Sequence, residues 1–583
     1  SLFHPVNPQL DGTTFMAKYL TAPDPNETGW PKGVKYIIGN EGCERFSFYG
    51  MKSILQVHLT TLFVAGGMYE QLGEENAQEM VHLFVAGVYA FPMIGAIIAD
   101  RLLGKYHTIL WLSLVYCLGH LVLSIGENSI GGMAIGLGLI AIGSGGIKPC
   151  VSAHVGDQFG KGNWNLVGRV FQAFYFIINF GSFFATLMIP FIRSSPDKIW
   201  ILRDHPEYAT SVAFAIPGIL MFLATIAFWM GRKVFVHVPP HPGGKVGLLD
   251  SIGATLLFMG FIGLPLFGWG VLSFSTNVVL TVSSVLIGLW VFEERQAIEQ
   301  DDGFLAVMFH SVEALIKGEN RKAISSLDAE VAADSIHRHW FFSSAARRFG
   351  EEAAEGPRAV LRIISIFFLV SVFWALFDQH ASSWVRQAQR MNLDLQLPWS
   401  TTNPDGTTVP AVLSMLPSQI SALNPLMVMA LIPFNTFFLY PFITKRGWEM
   451  TPLRRMTIGM ITASLAFVVV AMIQVRINAG GDEDMISVLW QFFPYLIMTQ
   501  AEVMVSITGL EFAYTQAPTR MKSTIMGFWL LSVSLGNKLT AVVTKLPDMD
   551  LLTSFWAFAG LMGVAAVLFG IRSAFYKYRY YTQ

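Results

Sequence analysis

Charge is what this chain lacks. Only 14% of its 583 residues are Asp, Glu, Lys or Arg, where a soluble chain of this length carries about a quarter. The deficit runs along the whole sequence, which excludes a soluble protein with one greasy domain. With a net charge of −1 there is no basic balance to suggest nucleic acid, and none is expected as a partner. Cysteine is scarce too. Cys43, Cys117 and Cys150 all lie in apolar runs, at spacings that fit neither a metal site nor a disulfide framework. His58, His82, His107, His120 and His154 make no metal-spaced pair within one apolar run. No Ser–His or aspartyl dyad is legible, so a membrane-embedded enzyme is disfavoured and no catalytic or metal-ligating residue is assigned. Residues 1–33 are polar and hold no apolar core, so no cleavable leader is expected.

What is abundant is apolar sequence. Hydrophobic residues make up 53%, with 46 Phe and 52 Gly, a mixture suited to lipid-facing surfaces and close helix packing. A helix needs about 20 apolar residues to cross the hydrocarbon core. Runs of that kind occupy 34–63, 81–103, 106–125, 131–154, 167–192 and 211–231, then 248–268 and 276–292. After a polar break come 360–384, 417–442, 456–473, 486–514, 523–543 and 551–571. These fourteen spans predict an all-α membrane protein: a six-helix bundle over 34–231, two additional spans within 248–292, and a second six-helix bundle over 360–571. Residues 1–33 and 572–583 would be cytoplasmic ends. The segment 293–359 would be a cytoplasmic linker, with Leu305, Val307, Met308, Val312 and Leu315 spaced as on a helix lying at the membrane surface. Basic residues alternate sides as the positive-inside rule requires. Lys32, Lys35, Lys161, Arg169, Arg232, Lys233, Lys445 and Arg446 fall on one side, and Glu70, Glu74, Glu75, Asp482, Glu483 and Asp484 on the other. An even span count places both termini in the cytoplasm.

Two halves of six spans are a common transporter plan, with the solute site near the midplane between them. The connection from Gly95 to Lys105, containing Asp100, Arg101 and Gly104, resembles the loop motif of the major facilitator superfamily. That resemblance implies a gating role for Asp100 and Arg101 and a major facilitator fold.

Charge inside spans is informative because it is expensive. The first span holds Glu41, Glu44, Arg45 and Lys52; at about 2.5–3.5 kcal/mol each on insertion scales, four facing lipid would cost on the order of 10 kcal/mol. Their three-and-four spacing, shared with Phe48 and Tyr49, puts them on one helix face, toward water or one another. A structural salt-bridge cluster is the plainer reading; an ion pathway is the one intramembrane charge usually marks. Further along, Lys148 follows Gly145 and Gly146. Trp374 and Asp378 lie four apart, as do Glu502 and Ser506, while Gln172, Tyr175 and Asn179 share a face. The first-span charges balance, so Lys148 needs an anion, and Glu502 or Asp378 a cation. Opposite charges from the two halves would then share one cavity.

Four motifs in order carry a resemblance. They are Glu41-Gly-Cys-Glu44-Arg45-Phe46-Ser-Phe48-Tyr49-Gly50; Lys148-Pro149-Cys150-Val151-Ser152; Phe174-Tyr175 through Asn179 to Ser182; and Phe373-Trp374-Ala-Leu-Phe377-Asp378-Gln379. Together they resemble the proton-dependent oligopeptide transporter family, and in the two extra spans the bacterial members. The resemblance implies a proton-coupled symporter that imports di- and tripeptides by alternating access, acting as a monomer in a bacterial inner membrane. Protons would be the coupling ion, with no other cofactor. It implies proton coupling through Glu41, Glu44, Arg45, Lys148, Asp378 and Glu502. Arg45, Lys148 and Tyr49, assisted by Lys52, would receive the peptide carboxylate. Asn179, Asn424 and Glu502 would receive the amino terminus. Tyr89 and Trp374 would line side-chain pockets, with Tyr175 and Ser506 as further binding candidates. Asp378 would pair with Lys52 at the outer gate, and Glu502 with Lys148 at the inner one. Phe48 stands where the motif has Tyr, and Lys52 where Arg is common, which removes a planar bidentate contact. A carrier of another solute, such as nitrate or a drug, on the same scaffold is the alternative, and a peptide-sensing receptor a third reading.

Overall fold

In a bilayer the backbone has no water to bond to, so each apolar run must close its hydrogen bonds within its own helix. The computed structural model describes residues 19–579 apart from 269–271, 299–302, 328–331, 333–334, 382, 403–407, 415–422, 481–484 and 544–549. The first half is α1 (Val34–Ala65), α2 (Glu70–Ile98), α3 (Lys105–Ile125), α4 (Ile130–Gly156), α5 (Val167–Ser194) and α6 (Ala209–Met230). The extra pair is α7 (Gly244–Phe267) and α8 (Phe274–Ile298). Three short helices follow, α9 (Phe304–Ile316), α10 (Glu319–Ser325) and α11 (Ser343–Phe349). The second half is α12 (Glu351–Phe377), α13 (Leu423–Lys445), α14 (Pro452–Gly480), α15 (Val488–Gln516), α16 (Lys522–Val543) and α17 (Leu551–Ala574).

Among the described residues, twelve helices are long and apolar enough to cross a membrane. The two long helices outside that set are α1, with its five charged residues, and α16, interrupted by Asn537 and Lys538. Their lengths of 32 and 22 residues still suffice to span. Fourteen long helices in two six-helix bundles plus a pair make a major facilitator fold. Both described ends of the chain lie at one end of the helices, here the proximal end.

Within the first bundle α3 packs on α4 and α1 on α5, and within the second α14 packs on α17 and α12 on α16. The bundles meet where α16 crosses α2 and α4, and where α5 meets α13. Glycine decides the α2–α4 crossing: a Cβ on Gly95 would lie 2.3 Å from the Gly146 Cα, so no side chain fits. Among the described residues four π-turns interrupt the helices, including Ala99–Leu103 at the end of α2 and Val503–Ile507 inside α15. Such turns re-aim side chains and gather at functional sites; these two carry Asp100, Arg101 and Ser506.

Several boundaries differ from expectation. The second span begins at Glu70, because Glu74, Glu75 and Glu79 are helix formers at an end that need not sit in lipid. The run 360–384 is not one helix: α12 stops at Phe377, and a 3-10 turn, Asp378–Ala381, follows. The start of the run 417–442 lies outside the described residues. An antiparallel hairpin, β1 (Asp394–Thr402) and β2 (Thr408–Ser414), adds strand to the expected all-helical chain. The segment after α8 is more ordered than a strap. Val307 of α9, Ile336, Phe342, Ala345, Ala346 and Ala354 form a small apolar cluster of their own. On α9 Val312 and Leu315 stay exposed, so only part of the expected apolar stripe is covered.

Candidate functional site

The site begins with α1. Glu41, Glu44 and Arg45 lie on its inward face, with the two glutamates 1% and 0% exposed. Arg45 Nε donates to Glu41 Oε1 at 2.7 Å and stands 3.3 Å from Glu44 Oε2. The other Glu44 oxygen accepts from Ser144 Oγ of α4 at 2.7 Å. Two buried carboxylates thus share one guanidinium, an arrangement in which protonating either frees Arg45 from part of its hold. Close packing makes the cluster possible: a Cβ on Gly181 of α5 would lie 2.5 Å from the Gly42 carbonyl, so α5 presses on α1 at this level.

Lys148 of α4 is 6% exposed, and among the described residues no carboxylate lies within ion-pair distance of it. Its ammonium sits 4.1 Å over the Phe48 ring and 5.8 Å from the Tyr89 ring. The Phe that replaces the usual Tyr therefore supplies a π face in place of a hydroxyl. Glu41, Glu44, Arg45 and Lys52 are all near enough to act on Lys148 electrostatically.

In the second bundle, Glu502 of α15 is 4% exposed. Its Oε1 accepts a short hydrogen bond from the Tyr175 hydroxyl of α5, and its Oε2 accepts from Asn424 Nδ2 of α13 at 2.7 Å. The same Asn424 nitrogen reaches Thr499 Oγ1 at 3.2 Å. A carboxylate from one half is thus held by a phenol from the other. Ser506, one turn on, lies beside the Tyr175 hydroxyl and is buried. Asn179 donates to the Tyr175 carbonyl at 2.9 Å, its amide bonded to its own helix. Tyr49 bridges the two clusters, within electrostatic reach of Arg45 on one side and Tyr175 on the other. Trp374 packs edge-on to Trp529 at 6.1 Å; its indole nitrogen meets no hydrogen-bond partner among the described residues. Lys52 is exposed although it lies mid-helix. A charge there is costly to leave in lipid.

One expected pair is absent. Glu502 and Lys148 do not meet: Glu502 is held by Tyr175 of the first bundle and Asn424 of the second, while Lys148 lies over Phe48. The expected Asp378–Lys52 pair lies outside what is described.

The proximal end is shut by other groups. Asp100 Oδ2 accepts from the Thr524 backbone N and Oγ1, both at 2.8 Å, so the first bundle caps the N-terminus of α16. Arg101 turns the other way and stands 3.8 Å from Asp250 of α7. Asp157, fully buried, accepts from Tyr514 Oη at 2.8 Å and pairs with Lys105 at 2.7 Å. Lys522 donates to the Tyr514 carbonyl at 3.0 Å and lies over its ring. Asp157, Tyr514 and Lys522 escaped the sequence reading. They sit at span ends, where charge is ordinary, and nothing in one sequence pairs positions so far apart. Asp250 and Arg295 were legible in principle, as charges inside or at the edge of apolar runs.

A model of the POT family matches residues 106–553. The chain belongs to the POT family. Human solute carrier family 15 member 2 is 30% identical over 504 residues, covering 84% of this chain and 55% of that protein. Peptide transporter family 1 of Drosophila melanogaster is 31% identical over 461 residues, covering 78% and 49%. The chain spans about half the length of these curated relatives. Among solved structures, the POT family transporter PepTSo is 38% identical with a TM-score of 0.61, covering 94% of this chain and 98% of that one. An auto-inhibited POT family peptide transporter is 34% identical with a TM-score of 0.60 and the same coverage. This POT chain thus shares its fold with transporters along nearly its whole length.

Proposed function

We propose that this chain is a proton-coupled symporter that carries di- and tripeptides by alternating access. It works as a carrier rather than an enzyme, with the proton as coupling ion. One observation carries the reading: Lys148, with no ion pair among the described residues, and the hydrogen-bonded carboxylate Glu502 stand on opposite bundles, with Tyr49 and Tyr175 between their clusters. A short peptide is a zwitterion with a fixed backbone and variable side chains. Its carboxylate fits Lys148 and Arg45, with Tyr49 and Lys52 beside them. Its ammonium fits Glu502, with Asn179, Asn424, Tyr175 and Ser506 around it. Tyr89 and Trp374 line the loose room between. A single-charge solute such as nitrate would use one wall and leave the other idle.

Coupling follows from the α1 cluster. With Glu41 and Glu44 ionised, Arg45 is committed to them. A proton on Glu44 removes that attraction and releases the guanidinium toward the peptide carboxylate. Bound peptide then draws Lys148 and Glu502 inward, and closing the distal side through Lys52 and Asp378 must loosen the Asp100–Thr524 and Asp157–Tyr514 contacts. A membrane potential of about 100 mV adds roughly 2.3 kcal/mol per charge moved. The basic residues gathered at the proximal end support a cytoplasmic position for it, and hence for both termini; a bacterial inner membrane and a monomeric unit complete the reading. Reconstituted Glu44→Gln tests it. The variant should lose gradient-driven peptide uptake and retain peptide exchange; driven uptake at the wild-type rate would remove Glu44 from coupling.

A further inference from the structure

The extra pair, α7 and α8, supplies none of the side chains placed around Arg45, Lys148 and Glu502 above, yet it is bolted to the gate. We infer that α7 and α8 brace the closed proximal end, with Asp250 as the positioning residue that ties them to it. Arg295 Nε of α8 donates to Asp250 Oδ1 at 2.7 Å, while Asp250 Oδ2 faces Arg101 of the gate turn at 3.8 Å. The side chains of Arg295 and Asp250 are 3% and 8% exposed, so this attraction acts with little water to weaken it. Backbone contacts repeat the link. The amides of His241 and Gly243, just before α7, donate to the Asp100 and Arg101 carbonyls at 3.0 and 3.1 Å. The Arg101 guanidinium returns a bond to the His241 carbonyl at 3.3 Å. Gly247 lies so close that a Cβ there would sit 2.1 Å from the Arg101 carbonyl oxygen.

Apolar packing also sets the pair beside α16, with Phe258 and Phe267 of α7 clustered on Met93 and Ile97 of α2 and Leu531 of α16. Between them lies an apolar cavity of about 210 Å³, walled by Met93, Ile97, Leu257, Phe258 and Phe528, with Arg101, Asp250 and Arg295 at its edge. The polar tie adds a hold on the gate turn itself. Since Asp100 and Arg101 are adjacent in one π-turn, fixing Arg101 fixes the carboxylate that caps α16. The brace therefore favours the state in which the proximal end is shut, whatever solute the chain carries.

Hydrogen exchange of the full chain in lipid nanodiscs reads this without any transport. The amides of Ser523 and Thr524 report the cap, because the Thr524 N–H is bonded to Asp100. In the swap Asp250→Arg with Arg295→Asp the α7–α8 pair keeps opposite charges, but an arginine now faces Arg101. Exchange at Ser523 and Thr524 should quicken about tenfold or more, with α7 and α8 as protected as in the wild type. Gly247→Ala, which leaves every charge in place and pushes α7 off the turn, should give the same local change. Wild-type exchange at Ser523 and Thr524 in Gly247→Ala would overturn the brace, as would wild-type exchange there in a swap that keeps α7 and α8 protected. Should the swap lose protection across α7 and α8, Gly247→Ala decides alone. A failed brace leaves the transport reading standing.

Discussion

Glu502→Gln isolates one end of the peptide clamp. Gln keeps the shape of the side chain and one acceptor oxygen for Tyr175 or Asn424, so the wall should stay assembled. The charge goes, and with it a charge-assisted contact to the peptide ammonium. Hydrogen bonds to charged groups are worth about 1.5–3 kcal/mol, which at about 1.4 kcal/mol per decade is a loss of roughly 10- to 150-fold in affinity. The clean control is a ligand that already lacks the charge. In proteoliposomes, unlabelled di-alanine and N-acetyl-di-alanine compete with labelled di-alanine. The wild type should prefer the free amine by about that factor, and the variant should prefer neither, having weakened only toward di-alanine. A variant that keeps the wild-type ratio of the two would refute Glu502 as the ammonium site, however much its overall uptake falls.

Other outcomes follow from the same geometry. Phe48→Leu removes the π face under Lys148, worth about 0.5–2 kcal/mol; peptide affinity should fall by roughly 2- to 30-fold, with N-acetyl-di-alanine weakened as much as di-alanine, read in the same competition assay. Asp100→Asn keeps the cap's shape but takes away its charge at the α16 N-terminus, about 0.3–2 kcal/mol. Spin labels at the exposed positions Lys161 and Lys445, after replacement of the three cysteines, should then report a larger open fraction at the proximal end. Gly95→Val cannot fit against Gly146 and should cost several kcal/mol or prevent assembly, seen as loss of the monodisperse peak in detergent. In the segment after α8, burial together with Arg358 and Arg362 lowers the half-buried His339 to about 4. The folded cluster favours the neutral ring, so its contribution is intact above the ordinary value of about 6.5 and is lost as pH falls toward 4. Protection factors of α11 amides, corrected for the intrinsic pH dependence of exchange, should fall over that interval and stay flat above pH 7.

Much of this was legible because a bilayer makes polarity conspicuous. Glu41, Glu44, Arg45, Lys148 and Glu502 stand out in their spans for the same reason they must face a chamber, and hydropathy alone divides the chain into two halves and a pair. The partners were harder. Nothing in the sequence says that Glu502 prefers Tyr175 and Asn424 to Lys148, or that Phe48 lies under Lys148, since those choices depend on which conformation the two bundles adopt. The gate residues Asp157, Tyr514 and Lys522 sit at helix ends where polar residues are common. The hairpin did carry a signal, Asp405-Gly406 between runs rich in Thr, Val and Leu, but it was masked by the expectation of helices throughout. The order in the segment after α8 rests on Ile336 and Phe342, too few and too scattered to announce a cluster.

The most direct measurement is uptake of labelled di-alanine by the reconstituted wild-type chain, with and without an inward proton gradient. Accumulation should require the gradient, and excess unlabelled di-alanine should abolish it while excess nitrate leaves it unchanged. Uptake indifferent to the gradient, or displaced by nitrate and not by peptide, would contradict the account.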